Sequence, residues 1–465
     1  MELQYGAQTL ERRDDPTIRA FRHDRFGQFI HWGLYALPAG AWNGTTYDFA
    51  AEFLPKSARI DDADWQAIAA DFTVEHFDAK AWARTAKAMG ARYVTVTAKH
   101  HDGFCLWPSA FSDTTVAATP HGRDLLGEIV EAYEEEGLAV HLYYSVLDWH
   151  HPDWRYRIDS PDDEIAFARF LEFAQNQLRE LATRYPTVRG FWFDGTWDES
   201  VKANGWWTLE VERMLKQLIP GVMVNSRLRA DEHGARHHDS NGDMMGDFFS
   251  GYERRLPDAW DRSVAAHDWE ACMTIPQGSW GYHEGAAAAA SRKKPSELIE
   301  QLAHIVSLDG NLLLNFGPMG DGALPGFEVE TAAAIGDWME VNGAAIHGCG
   351  MARDWDYPGW GHYTHNAETG VTYAIVTRIP VTGVIKPVLP VGTRLRSVTA
   401  LATSAPVEAR LLDERTISVD VPRESSVPLV YAIEVERDET QRQTVEVNPD
   451  VAEAPAAAKT ASVKL

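Results

Sequence analysis

The chain has 465 residues, of which 45% are hydrophobic and 24% charged, with a formal net charge of −25. This is an ordinary composition for a folded protein, and its acidity excludes nucleic-acid phosphates and anionic membrane surfaces as expected partners. Cys105, Cys272 and Cys349 are too few and scattered for a disulfide framework or a zinc site, and neither a signal-peptide run at the N-terminus nor an apolar stretch of membrane-spanning length is visible, so a cytoplasmic location is expected.

Short apolar runs that end in polar residues recur along the chain, at 26–31, 92–97, 139–144, 189–194, 222–225 and 311–316. Between them, 78–89, 124–136, 162–185, 208–218 and 294–308 carry apolar residues at helical spacing. Continuous apolar strands alternating with helices imply a parallel sheet covered on both faces. More than six such units favour closure, so residues 1–349 are expected to form an α/β fold, a (β/α)8-like barrel. The alanine run at 286–290 carries no assignment. From about residue 350 the pattern changes to short strands at 371–378, 395–401, 416–421 and 429–435, separated by Pro and Gly turns. These predict a C-terminal antiparallel β-sandwich over 350–437. The polar, Ala-rich stretch 438–465 reads as a disordered tail.

Barrel enzymes place their chemistry at the carboxyl ends of the strands. Here those ends supply His31; His100, His101 and Asp102; Tyr143 and Tyr144; Asp194; and Asn225 with Arg227. A purely structural barrel has no need of polar groups at one end of every strand. Asp194, in RGFWFDG, ends an apolar strand just before a glycine and is aimed where a pocket would lie. The 17 Trp, 18 Phe and 15 Tyr suit a large core or a site that stacks on sugar rings. Glycoside cleavage needs two carboxyls, one ionised and one protonated. The second could be Asp247, Glu253, Asp268 or Glu270. Glu253, in GDFFSGYERRLP, reads as part of a loop after the sixth strand and is preferred. Glu270 lies inside a strand-like run beside Trp269 and reads as a buried anchor, with the acid role held in reserve.

Adjacent histidines occur at 100–101, 150–151 and 237–238. Neighbouring strand residues point to opposite faces, so such pairs suit sugar hydroxyls better than a shared metal. No metal motif, phosphate loop or dinucleotide fingerprint is visible, so no metal and no cofactor are expected.

Together FGQFIHWG (26–33), TAKHHDGFCLWPS (97–109), YYSVLDWHHP (143–152), FWFDG (191–195), WEACMTIPQGSWGY (269–282) and NLLLNFGPMGDGALP (311–325) resemble glycoside hydrolase family 29, the α-L-fucosidases. The resemblance runs along most of residues 20–350. It implies a retaining, metal-independent exo-α-L-fucosidase with Asp194 as nucleophile, acting on fucosylated oligosaccharides or glycoconjugates. It also implies sugar contacts from His31, Glu52, His100, His101, Tyr143 or Tyr144, Trp192 and Arg227, with Trp42 at the same pocket. Glu253 falls where one clade of the family keeps its acid/base, although the loop here has one more residue and lacks the clade's Thr-Pro. Two other readings compete: a retaining glycosidase for another sugar, such as an α-L-galactoside, and a catalytically inactive sugar-binding protein. The first turns on the wall around C6, the second on loss of the nucleophile.

Overall fold

Eight runs form parallel strands, β1 (Phe26–Ile30), β2 (Tyr93–Lys99), β3 (Ala139–Ser145), β4 (Gly190–Asp194), β5 (Met223–Val224), β6 (Phe249–Glu253), β7 (Trp269–Thr274) and β8 (Asn311–Phe316). The computed structural model describes residues 5–6, 12–424, 426 and 428–437, without the side chains at 262 and 265; the expected tail at 438–465 lies outside these described residues. The strand order β5-β4-β3-β2-β1-β8-β7-β6 follows the sequence around a ring. Phe29 of β1 sits in register with Thr95 of β2 on one side and Asn315 of β8 on the other. The ends of the ring, β5 and β6, meet through one bridge, Asn225 to Phe248, which leaves a thin seam in a (β/α)8-like barrel.

Helices α1 (Pro16–Asp24), α2 (Ala79–Met89), α3 (Leu125–Glu135), α4 (Pro161–Arg184), α5 (Gly205–Leu218), α6 (Pro295–Ser307) and α7 (Gly326–Asn342) accompany the strands. Local sequence sets their ends. Asp78 caps α2 by accepting from the Ala81 N–H, and Gly90 ends it at φ 94°, a conformation that costs a glycine little. Ser160 caps α4 ahead of Pro161, whose missing N–H would have had no partner there. Helix α1, which the sequence pattern did not predict, lies across the amino-terminal mouth. Its Ile18 and Phe21 pack among Tyr93, Met223 and Leu313 inside the barrel.

One expectation is corrected. The stretch around Glu253 is a strand, not a loop: Ser250 and Gly251 break the apolar pattern, yet a register shift against β7 lets Tyr252 pack on Trp269 at 5.1 Å. Glu253 therefore ends β6 much as Asp194 ends β4. Between β5 and β6, residues 225–248 form no helix, only the small bridges Ala230–Arg236 and His238–Met244. The alanine run at 286–290 forms the short helix Ala286–Ala290.

Beyond α7 the chain builds β9 (Cys349–Met351), β10 (Gly361–Asn366), β11 (Thr372–Val376), β12 (Val384–Ile385), β13 (Thr393–Ala400), β14 (Ala405–Pro406), β15 (Ala409–Leu411), β16 (Ile417–Asp420) and β17 (Leu429–Arg437). They form two antiparallel sheets, β9-β10-β11-β17-β13-β14 and β12-β16-β15. Val376 and Ile433 of the first and Ile385 and Val419 of the second share one core, as in a sandwich. This unit leans on the barrel's flank, where the Trp338 Nε1–H of α7 donates to the Pro428 carbonyl at 2.8 Å. Among the described residues no helix is long and apolar enough to cross a membrane.

Candidate active site

The carboxyl ends of the strands surround a cavity of about 230 Å³, room for a single sugar ring. Its lining includes His31, Glu52, His100, His101, Tyr143, Trp192, Asp194, Arg227 and Glu253. Trp42 and Tyr144 lie outside it. Strand alternation turns Tyr143 inward and Tyr144 outward, where its hydroxyl donates to Gln177 of α4 at 2.8 Å. Trp42 sits in a two-residue hairpin arm and packs towards Trp65, 6.3 Å between ring centres. Asp102 and Asn225 brace the surrounding structure instead: Asp102 accepts from the Trp65 side-chain Nε1–H and the Phe104 N–H, and Asn225 clasps Phe193 through its N–H and carbonyl.

One guanidinium organises the carboxylates. Arg227 donates to Asp194 at 3.0 Å and to Glu253 at 2.9 Å, while its Nε–H donates to the Ser250 carbonyl. It lies over Trp192, 4.6 Å from the ring centre, as a desolvated cation prefers. Burial works against its charge, but Asp194 and Glu253 overcome that and hold it protonated. The Tyr143 hydroxyl donates to the second oxygen of Asp194 at 3.2 Å. The carboxylate is thus fixed from two sides.

The imidazoles are neutral. Burial pushes His31 and His100 well below the usual histidine range and His101 down to about 3. Their tautomers follow from the network. The Ser145 hydroxyl gives its proton to the Leu147 carbonyl at 2.6 Å, so His101 Nδ1, also 2.6 Å away, must be the donor between them. Asn315 donates its amide to the Trp280 carbonyl, which leaves its oxygen to accept from His31 Nδ1 at 2.7 Å. Both rings keep Nε2 as an acceptor, suited to a sugar hydroxyl. His100 and His101 were expected on opposite faces. They lie in a turn beyond β2, not within the strand, and both line the pocket with ring centres 4.3 Å apart. Among the described residues no group of three His, Cys, Asp or Glu side chains could hold a metal ion.

Glu52 is fully buried. One oxygen accepts from the Gly281 and Trp280 N–H groups, and the other has no partner. Burial raises its carboxyl to about 7. Behind the histidine turn, Lys99 and Asp148 form an ion pair of 3.0 Å with both side chains almost wholly buried. Asp148 also accepts from the His150 and His151 N–H groups, and the Trp149 N–H donates to the His101 carbonyl. Removing one member of such a pair typically costs about 3–5 kcal/mol, because the other charge is stranded.

Glu270 sits below the pocket floor. Its two oxygens accept from Trp192 Nε1 at 2.9 Å and the Tyr93 hydroxyl at 2.6 Å, and burial pushes its carboxyl up to about 7. The folded state therefore holds this proton more tightly than the unfolded chain. The resulting stability is complete below about pH 4.5 and is lost as pH rises towards 7, about 3 kcal/mol in all. Glu270→Gln can still accept from Trp192 and donate to Tyr93. Its melting temperature should fall less between pH 5 and 8 than that of the parent; equal slopes would remove Glu270 as the source.

Pocket residues that sequence reasoning passed over are mostly aromatic: Phe29, Phe49, Phe53, Trp197 and Trp280, together with Ala50 and Arg254. Trp280 stacks on His31 at 5.1 Å, and Phe53 meets His101 edge-on at 5.4 Å. The available signal was adjacency, since Phe53 follows Glu52 and Arg254 follows Glu253.

Comparison with known proteins fits this arrangement. The α-L-fucosidase family model matches residues 2–344. The chain belongs to the α-L-fucosidase family. It is 30% identical to the tissue α-L-fucosidase of Rattus norvegicus over 403 residues, 83% of this chain and 82% of that one. Among solved structures, the family 29 α-L-fucosidase of Bacteroides thetaiotaomicron superposes with a TM-score of 0.91 at 48% identity, covering 94% of this chain and 99% of that one. A variant of that enzyme with a glutamate replaced by glutamine was trapped as a covalent intermediate with a fluorinated fucosyl fluoride (TM-score 0.90, 48% identity, covering 94% of this chain and 100% of that one). This fucosidase is a glycoside hydrolase with a (β/α)8-like barrel, and the covalent intermediate of its relative accords with retention.

Proposed function

We propose that the pocket hydrolyses terminal α-L-fucosyl linkages of fucosylated oligosaccharides or glycoconjugates with retention, Asp194 acting as nucleophile and Glu253 as acid/base. The observation that carries this reading is the Arg227 bridge, which brings the carboxylates at the ends of β4 and β6 to one pocket. Retention needs such a pair close together. Asp194 attacks the anomeric carbon while Glu253 protonates the departing oxygen; Glu253 then takes a proton from the water that cleaves the ester. Glu253 is the more exposed of the two, 35% against 14% for the side chains, as suits the group that meets the leaving sugar and then water.

Two kinds of wall support fucose. His31, Glu52, His100 and His101 offer acceptors for ring hydroxyls, while Phe29, Phe49, Ala50 and Phe53 offer an apolar surface for a methyl group. An added hydroxyl on the apolar side would be unpaired. Aryl α-L-fucoside should therefore be turned over about 10²-fold faster than aryl α-L-galactoside, with the α-anomer as first product. Equal rates on the two would overturn the fucoside reading. A cytoplasmic location is supported by three buried, unbridged cysteines.

A further inference from the structure

The amino-terminal mouth of the barrel, opposite the sugar pocket, holds a cavity of about 270 Å³ between α1 and the starts of the strands. The helix supplies one wall: Pro16, Ala20 and Asp24 follow at four-residue spacing, about 12 Å along its axis. The inner end is aromatic, formed by Phe21, Tyr93 and His141. Ring centres are 5.6 Å apart for Phe21 and Tyr93, and 5.1 Å for Tyr93 and the imidazole stacked on it. Two glycines make room for these rings. A Cβ on Gly27 would stand 2.4 Å from Tyr93, and one on Gly190 would stand 3.1 Å from His141.

Three polar groups line this cavity without a close partner among the described residues. His141 is 3% exposed, yet neither ring nitrogen makes a hydrogen bond; its contacts are the rings of Phe21 and Tyr93. Burial pushes it down to about 3, so it is neutral and offers an acceptor. A buried imidazole with both nitrogens unused is costly, and a ligand in the cavity would relieve it. The Asp24 carboxylate accepts no hydrogen bond, and His23 Nδ1 stands 3.9 Å away. Burial raises this carboxyl to about 7 against the pull of Arg92, which precedes β2. Arg189 is exposed and forms no ion pair. The two charged groups sit at different ends. Asp24 closes α1 on the β2 side, near Tyr93. The Arg189 carbonyl accepts from the Met223 N–H of β5, the side where α1 begins and Arg13 donates to the Val222 carbonyl at 2.9 Å. Opposite charges at the ends of a slot with an apolar middle suit a molecule of the same pattern.

We propose that this cavity binds a small dipolar molecule, an ammonium and a carboxylate joined by an apolar or aromatic body. The ammonium donates to Asp24 and His141 beside the aromatic rings, the carboxylate meets Arg189, and the body lies against Ala20, Ala139 and Met223. Carboxylate, neutral imidazole and aromatic faces all favour a cation at the inner end. The site is separate from the reaction at the other mouth, so the two are tested apart. The probe is 4-(aminomethyl)benzoate, with benzylamine and 4-methylbenzoate as controls that each lack one charge. Calorimetry on the full chain should register the probe, and the melting temperature should climb with its concentration. Loss of either charge, from the probe or through Asp24→Asn or Arg189→Gln, should weaken binding about tenfold, the scale of one charge-assisted hydrogen bond. Neither side chain holds another in place, so both variants should fold. Ala20→Leu, on the exposed side of a helix, should fill the slot and abolish binding while kcat/KM for an aryl α-L-fucoside stays at the parent's value. A parent that does not bind the probe would overturn the proposal, as would either control binding equally well. Binding that is indifferent to Asp24→Asn and Arg189→Gln, or that survives Ala20→Leu, would place the probe elsewhere and overturn it too.

Discussion

Asp194→Gly should hydrolyse an aryl α-L-fucoside on the order of 10⁴-fold more slowly than the parent, the scale seen when a member of a covalent-catalysis constellation is removed. The fold should survive. Asp194 is a rim residue at the end of β4, and Arg227, its ion-pair partner, keeps Glu253. The space left beside the anomeric carbon would admit a small anion, so azide should restore part of the rate and yield the inverted glycosyl azide. Unchanged circular dichroism with parent-like turnover would remove Asp194 as nucleophile.

The second large effect concerns Glu253→Ala, and its signature is selectivity. Substrates with poor leaving groups need protonation and should lose about 10²–10⁴-fold. An activated aryl leaving group needs little help; there the second step becomes limiting, and azide should rescue it with the retained product. Glu270→Ala should behave differently. Its partners Trp192 and Tyr93 would be left as buried unsatisfied donors, which lowers stability or binding with no dependence on the leaving group and no rescue. If Glu270→Ala shows the leaving-group dependence and Glu253→Ala does not, Glu270 is the acid and the reading of the Arg227 bridge is wrong.

Much of this architecture was legible because its strands are buried on both faces. Runs such as Phe191–Phe193 have no polar alternation to confuse them with surface strands, and the polar residue that ends most runs marks the carboxyl face. Legibility failed where tertiary contacts outweighed local pattern. Phe249–Glu253 looked like a loop because Ser250 and Gly251 interrupt it, but Ser250 is buried and its N–H donates to the Ser226 hydroxyl across the seam. Helix α1 is short and gains its place from what it covers. Choosing between Tyr143 and Tyr144 required knowing which face of β3 turns inward, and that is set by pairing: Tyr143 lies in register with Trp192. The family motifs named the polar contacts of the pocket, yet its aromatic walls follow from loop paths that no spacing rule encodes.

The thin seam between β5 and β6 has a consequence for how this enzyme loses activity. The two strands that meet there end near Arg227 and Glu253, and beyond the Asn225–Phe248 bridge their backbones are joined by few bonds, among them Ser226 N–H to the Phe248 carbonyl and Asp247 N–H to the Val224 carbonyl. No helix covers the crossover between them. Sub-global opening draws on the regions with the fewest such ties. Amide protons along 223–226 and 247–250 should exchange sooner than those of β1 and β2, and on gentle heating turnover should vanish while most helical signal persists. The machinery would then fail at a hinge line, well before the barrel as a whole melts.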